Sequence, residues 1–183
     1  MLILILGVAL WWAAHLFKRI APGQRAGLGE TGRGLVTGAL MVAVLLMIFG
    51  YRMSDGPYWW GPSAPLKGIN NLLVLVAFYL FAAAGMKTRI TSRMRHPQLT
   101  GFALWAFAHL LPNGDLPSFV LFGGLLIWAL AEMAIINRAE PVWTRPPGPF
   151  PVRKEVMAAF GALIVMLVVG LIHSWLGYNP FGA

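Results

Sequence analysis

The groups in this 183-residue chain that could do chemistry are four histidines, His15, His96, His109 and His173, and two acids, Asp115 and Glu132. His15 and His109 fall well inside long apolar runs. An imidazole is costly in hydrocarbon and is usually kept there for function. Trp11 and Trp12 precede His15 by four and three residues, and Trp105 and Ala106 precede His109 in the same way. Each ring therefore shares a helical face with a large flat aromatic. A planar hydrophobic cofactor would want that arrangement, and an ordinary packing stripe would look the same. Bundles build cofactor sites from side chains on facing helices, and histidine is a standard axial ligand of haem iron. His15 and His109 are accordingly the candidate metal ligands.

Depth tests the pairing. At about 1.5 Å rise per residue, His15 lies ~20 Å from the outer surface and His109 ~18 Å from the inner one. In a slab ~30 Å thick that leaves a mismatch of ~8 Å, which tilt or a longer first helix can absorb. Glu132 is the one acid well inside a run, and is expected to pair with a basic loop group, or else to relay protons. Asp115 suits hydrogen bonding to backbone N–H groups in a turn. His173 lies near a water interface, where a histidine needs no special explanation. The chain has no cysteine, which excludes disulfides and thiolate sites. No Ser-His-Asp set, HExxH or phosphate loop occurs, so no residue is assigned a catalytic role. Gly27, Gly29 and Gly32 spell GxGxxG, but no strand precedes them and no βαβ unit surrounds them.

The elements that must position these groups are apolar. The chain is 58% hydrophobic, only 11% charged, and has a mean hydropathy of +0.72. Soluble domains carry roughly 25% charged residues, so this is an integral membrane protein. Six runs read as spans: 2–17, 35–50, 69–86, 97–111, 116–137 and 156–176. Pro97 suits the first turn of the fourth. Pro112-Asn113-Gly114-Asp115 makes a tight turn that turns the fourth and fifth runs into a helical hairpin. Gly123 and Gly124 are placed to allow close helix contact. Tyr58, Trp59 and Trp60 read as an interfacial aromatic belt or a lid, and Asn70 and Asn71 as cap or interface groups. The proline-rich stretch 138–155 stays extended.

The net charge of +8 is distributed as membrane proteins distribute it. Loops one, three and five hold twelve Lys and Arg, while loops two and four hold only Arg52 and Lys67. The bias places both termini on the outer, periplasmic side and assigns the charge to orientation, not to nucleic acid. The expected fold is all-α: a polytopic bundle of about six transmembrane helices forming one domain over 1–183, in contact with membrane lipid.

The stretch RHPQLTGFALWAFAHLLPNGDLPSFVLFGGLLIWAL, residues 95–130, resembles the NnrU family of bacterial membrane proteins, itself similar to plastid 15-cis-zeta-carotene isomerase. His15 and the GYR at residues 50–52 are looser matches, and the resemblance covers most of the chain. The isomerase side implies haem b held by two histidines, matching His15 and His109, with the RHPQ histidine matching His96. The NnrU side implies the inner membrane and a link to nitrite and nitric oxide in denitrification, so nitric oxide or a lipophilic small molecule is the implied partner. A proline-rich fifth loop and a short, non-basic C-terminus depart from the isomerase. RHPQLTG also resembles the RHPxYxG stretch of membrane methyltransferases, but Leu99 replaces the tyrosine and the later paired glutamates are missing. The expectation is a haem b membrane protein of nitric oxide or nitrite metabolism. A carotenoid-type cis-trans isomerase and a cofactor-free assembly or regulatory protein are the alternatives.

Overall fold

The computed structural model describes residues 1–182. Apolar runs long enough to span hydrocarbon must satisfy their own backbone groups, and helices do so. The chain forms α1 (Leu2–Ile20), a short α2 (Pro22–Gly27), α3 (Gly29–Arg52), α4 (Ala64–Met86), α5 (Pro97–Leu110), α6 (Leu116–Ala139) and α7 (Val152–Trp175). Five of these, α1, α3, α4, α6 and α7, are long and apolar enough to cross a membrane. The expected fourth crossing, α5, has 14 residues, a rise of ~21 Å. A 3₁₀ turn, Arg89–Ser92, precedes it and the turn at Pro112 follows it.

Several boundaries move outward from the apolar runs because helices continue past the hydrocarbon. α3 begins at Gly29, inside the expected loop, where Arg33 pairs with Glu30 at 3.0 Å one turn away. α4 begins at Ala64, capped by the Ser63 hydroxyl, so Asn70 and Asn71 are not its caps. Asn71 instead donates to the Pro180 carbonyl at 2.9 Å and ties down the C-terminal segment. Pro97 does open α5, as its missing N–H allows. Residues 141–151 contain no helix.

By their principal contacts the helices run α3, α1, α6, α5, α4, α7, with α1, α5 and α6 at the centre. Small residues let them approach, because helices in lipid associate through close packing and not through a hydrophobic force. A Cβ on Gly7 would stand 2.8 Å from the Met47 backbone nitrogen, and one on Gly50 would strike the Leu4 backbone. A Cβ on Gly124 would stand 2.8 Å from Val8 Cγ1, joining α6 to α1. Gly123 faces open space, so of the expected glycine pair only Gly124 makes the contact. α7 leans on α4 and turns Phe160, Ile164, Leu167 and Leu171 outward, as lipid contact requires.

Two polar faces close the bundle. On one, Arg19 in the last turn of α1, Arg95 before α5 and Glu140 after α6 meet: Glu140 lies 3.1 Å from Arg19 and 3.8 Å from Arg95. Loops one, three and five therefore share one face, the face that carries the twelve basic residues. On the other face the expected aromatic belt is partly a strand. β1 (Tyr58–Trp60) pairs antiparallel with β2 (Gly114–Asp115), and Trp60 Nε1 donates to the Leu111 carbonyl at 2.9 Å. Trp59 and Trp60 both pack edge-on to Phe119.

Candidate functional site

Where α1, α5 and α6 meet, their aromatic residues form one continuous column. Trp11 stacks on Phe102 (5.7 Å, 19°), Trp128 meets Trp11 and Phe102 edge-on, and Phe102 passes the contact up to Trp105. His15 caps one end, 4.2 Å from Trp11 and 4.5 Å from Trp128 between ring centroids. His109 caps the other, stacked on Phe122 at 4.8 Å and 28° and lying 4.9 Å from Trp105. The helical spacing to Trp11 and Trp105 made this partnership legible in advance. Phe102, Phe122 and Trp128 were not singled out, since nothing in their spacing distinguishes them from lipid-facing aromatics.

The local reason for Phe122's placement is a π-helical stretch, Phe119–Gly123, near the start of α6. Such a bulge inserts an extra residue into the turn and often sits at a functional site. Just beyond it, the Gly124 carbonyl accepts from Trp12 Nε1 at 3.1 Å, which locks α1 to α6 beside His109's stacking partner. Before it, Asp115 does what its turn position suggested. Its Oδ1 accepts from the Ser118 backbone N–H at 2.8 Å, and its Oδ2 accepts from the Ser118 hydroxyl at 3.0 Å. Tyr51 of α3 completes the network, 2.8 Å from Ser118 Oγ.

Both membrane histidines use Nδ1 on their own helix. Nδ1–H of His15 donates to the Trp11 carbonyl at 3.0 Å, and that of His109 to the Trp105 carbonyl at 2.8 Å. In that tautomer Nε2 keeps its lone pair, the form a metal needs. Each imidazole singly therefore fits an iron. The two do not converge on one. Their partners on α6, Trp128 and Phe122, are six residues apart, a rise of ~9 Å. Two axial nitrogens each ~2 Å from one metal would be ~4 Å apart. Phe102 and Trp105 occupy the interval.

The surroundings of His15 are unfinished. Trp11 Nε1 and Trp128 Nε1 are buried with no hydrogen-bond partner among the described residues, and so is Glu132 Oε2. Buried donors are nearly always paired, so the two indole N–H groups beside His15 are exceptions that a bound acceptor would explain. Glu132, one turn after Trp128, has its other oxygen 3.9 Å from Arg19 Nε, the basic partner expected of it. His96 stands apart from this group. Its Nε2 lies 2.9 Å from Asn137 Oδ1 at the basic face, so the structure does not bring it to His15 or His109. His173 is exposed and bonds to the Val169 carbonyl. The GxGxxG glycines lie across α2 and the start of α3, with no strand before them.

Fold and site define a class: a polytopic all-α membrane protein with imidazoles and unpaired indole donors set into an aromatic interior. Residues 3–180 match the NnrU protein family, and the chain belongs to it. No curated protein and no solved structure matches.

Proposed function

We propose that this NnrU-family protein binds haem b in the bacterial inner membrane and serves nitric oxide or nitrite metabolism. The observation that supports it best is the His15 end of the column. An imidazole with a free Nε2 lies between two indoles whose buried N–H groups lack acceptors. A flat apolar ligand edged with acceptor oxygens answers both needs, and haem b is such a ligand. His15 would hold it, while His109, which the family resemblance offers as a second ligand, lies at the other level of the column behind Phe102 and Trp105. Bound there, the iron would supply a site for nitric oxide. The chain's own contribution is to orient His15 through the Trp11 carbonyl, to donate from Trp11 and Trp128, and to exclude water with the rings. The positive-inside rule sets the basic face in the cytoplasm and both termini outside.

The test is the absorption spectrum of detergent-purified protein from haem-replete cells, oxidised and reduced. A Soret band with reduced b-type peaks, lost in His15→Ala and kept in His173→Ala, is the expected result. Loss in His109→Ala as well would identify a two-histidine site and require the rings between the two levels to give way. Folded protein without haem would overturn the reading. The filled interval between the two histidines favours the second reading in that case, a cofactor-free assembly or regulatory protein.

A further inference from the structure

A cavity of about 450 Å³ opens on the basic face, at the junction of α4 and α5. Polar Lys87, Arg95 and His96 line it together with apolar Ala84, Met94 and Leu99, and Trp143 of the proline-rich segment contributes to its wall. Its charge is only partly neutralised from within. Arg95 donates to the Glu140 carbonyl at 2.6 Å, but the Glu140 carboxylate lies nearer Arg19, 3.1 Å against 3.8 Å. None of the ion pairs among the described residues includes Lys87. Lys87 also ends α4 at φ 54°, among the described residues the one non-glycine with positive φ. This left-handed residue terminates the helix, with the Thr88 N–H bonded back to the Ala83 carbonyl, and leaves the lysine side chain at the cavity. His96, held through Nε2 by Asn137, keeps Nδ1 unengaged.

We infer that this cavity is a binding site for a phosphate-bearing anion with an apolar tail, an anionic phospholipid of the surrounding leaflet. Lys87 and Arg95 contact the phosphate, Trp143 lies at headgroup level, and the acyl chain leaves past Met94 and Leu99. Basic pockets between transmembrane helices on the cytoplasmic side take anionic headgroups for this reason. The apolar wall distinguishes the site from one built for a free small anion. The site is separate from His15, and its occupancy is independent of haem.

Native mass spectrometry of the full chain, purified in mild detergent and reloaded with phosphatidylglycerol or phosphatidylcholine of identical chains, tests it. The expected result is one retained phosphatidylglycerol and no retained phosphatidylcholine. Lys87→Gln should weaken retention at least about fivefold, the worth of one basic residue near the surface. Lys18→Gln removes the same charge from the same face outside the cavity and should leave retention unchanged. Helicity and any Soret band should match the wild type in both variants. Millimolar inorganic phosphate that displaces the lipid would show that phosphate alone suffices, and lipid that stays would show that the tail is needed. Equal retention of the two lipids, or equal losses in Lys87→Gln and Lys18→Gln, would overturn the inference.

Discussion

The two ends of the aromatic column are finished differently. Around His109 the polar groups are tied to one another. Asn113 donates to the His109 carbonyl at 2.7 Å, Tyr51, Ser118 and Asp115 form a closed chain, and Trp60 seals the turn above. Around His15 two indole N–H groups have no partner. The imidazoles themselves do not account for the contrast. His15, His109 and even the exposed His173 make the same bond to the carbonyl four residues back. That bond belongs to the helix, and what marks a site is the set of neighbours that the helix cannot satisfy.

The contrast can be broken in graded steps. The largest effect is expected from Trp128→Ala, which opens a cavity at a residue only 3% exposed and in contact with His15, Trp11 and Phe102. It should cost about 3–5 kcal/mol, read by unfolding in detergent, and should empty the His15 end of ligand. Next, His15→Ala should remove at least about nine-tenths of the haem that co-purifies, counted by pyridine haemochrome assay, an affinity loss of tenfold or more, while His173→Ala removes none. If His15→Ala keeps its haem, the unpaired donors at that end mean nothing for binding.

At the finished end the costs are those of ordinary hydrogen bonds. Asp115→Ala removes the cap on Ser118 and should cost about 1 kcal/mol in thermal unfolding. The finest comparison pairs two tryptophans. Trp12→Phe loses a real bond to Gly124 and should cost ~0.6 kcal/mol on that account. Trp128→Phe loses a donor that bonds to nothing in the chain, so ligand-free protein should show no hydrogen-bond penalty. Haem-loaded protein should bind its ligand more weakly after the same change. A Trp128→Phe variant that behaves identically with and without haem would show that the orphaned donor serves packing alone.

How far the sequence could be read follows from the range of the forces involved. Lipid imposes its demand on every residue of a span, so apolar runs, the charge bias of alternate loops, Pro97 at a helix start and Asp115 at a turn are local and could be read one segment at a time. The partner of Glu132 could be anticipated as basic because a lone acid near an inner face has few other choices, although Arg19 in particular could not. The histidines were legible as costly groups beside aromatics. Their mutual distance was not, because it depends on helix register and on a π-helical turn that no periodicity announces.

Composition and charge pattern by themselves determined a multi-pass helical protein with imidazoles in its interior, since hydration cost acts residue by residue. Tertiary packing alone decided which glycines admit a neighbouring helix, that the column has two levels ~9 Å apart, and that Trp11 and Trp128 donors meet nothing beside His15. It also gathered Lys87, Arg95 and Trp143 from three separate segments into one cavity. Those outcomes depend on contacts between residues far apart in the chain, and the energies that select them arise only when the helices meet.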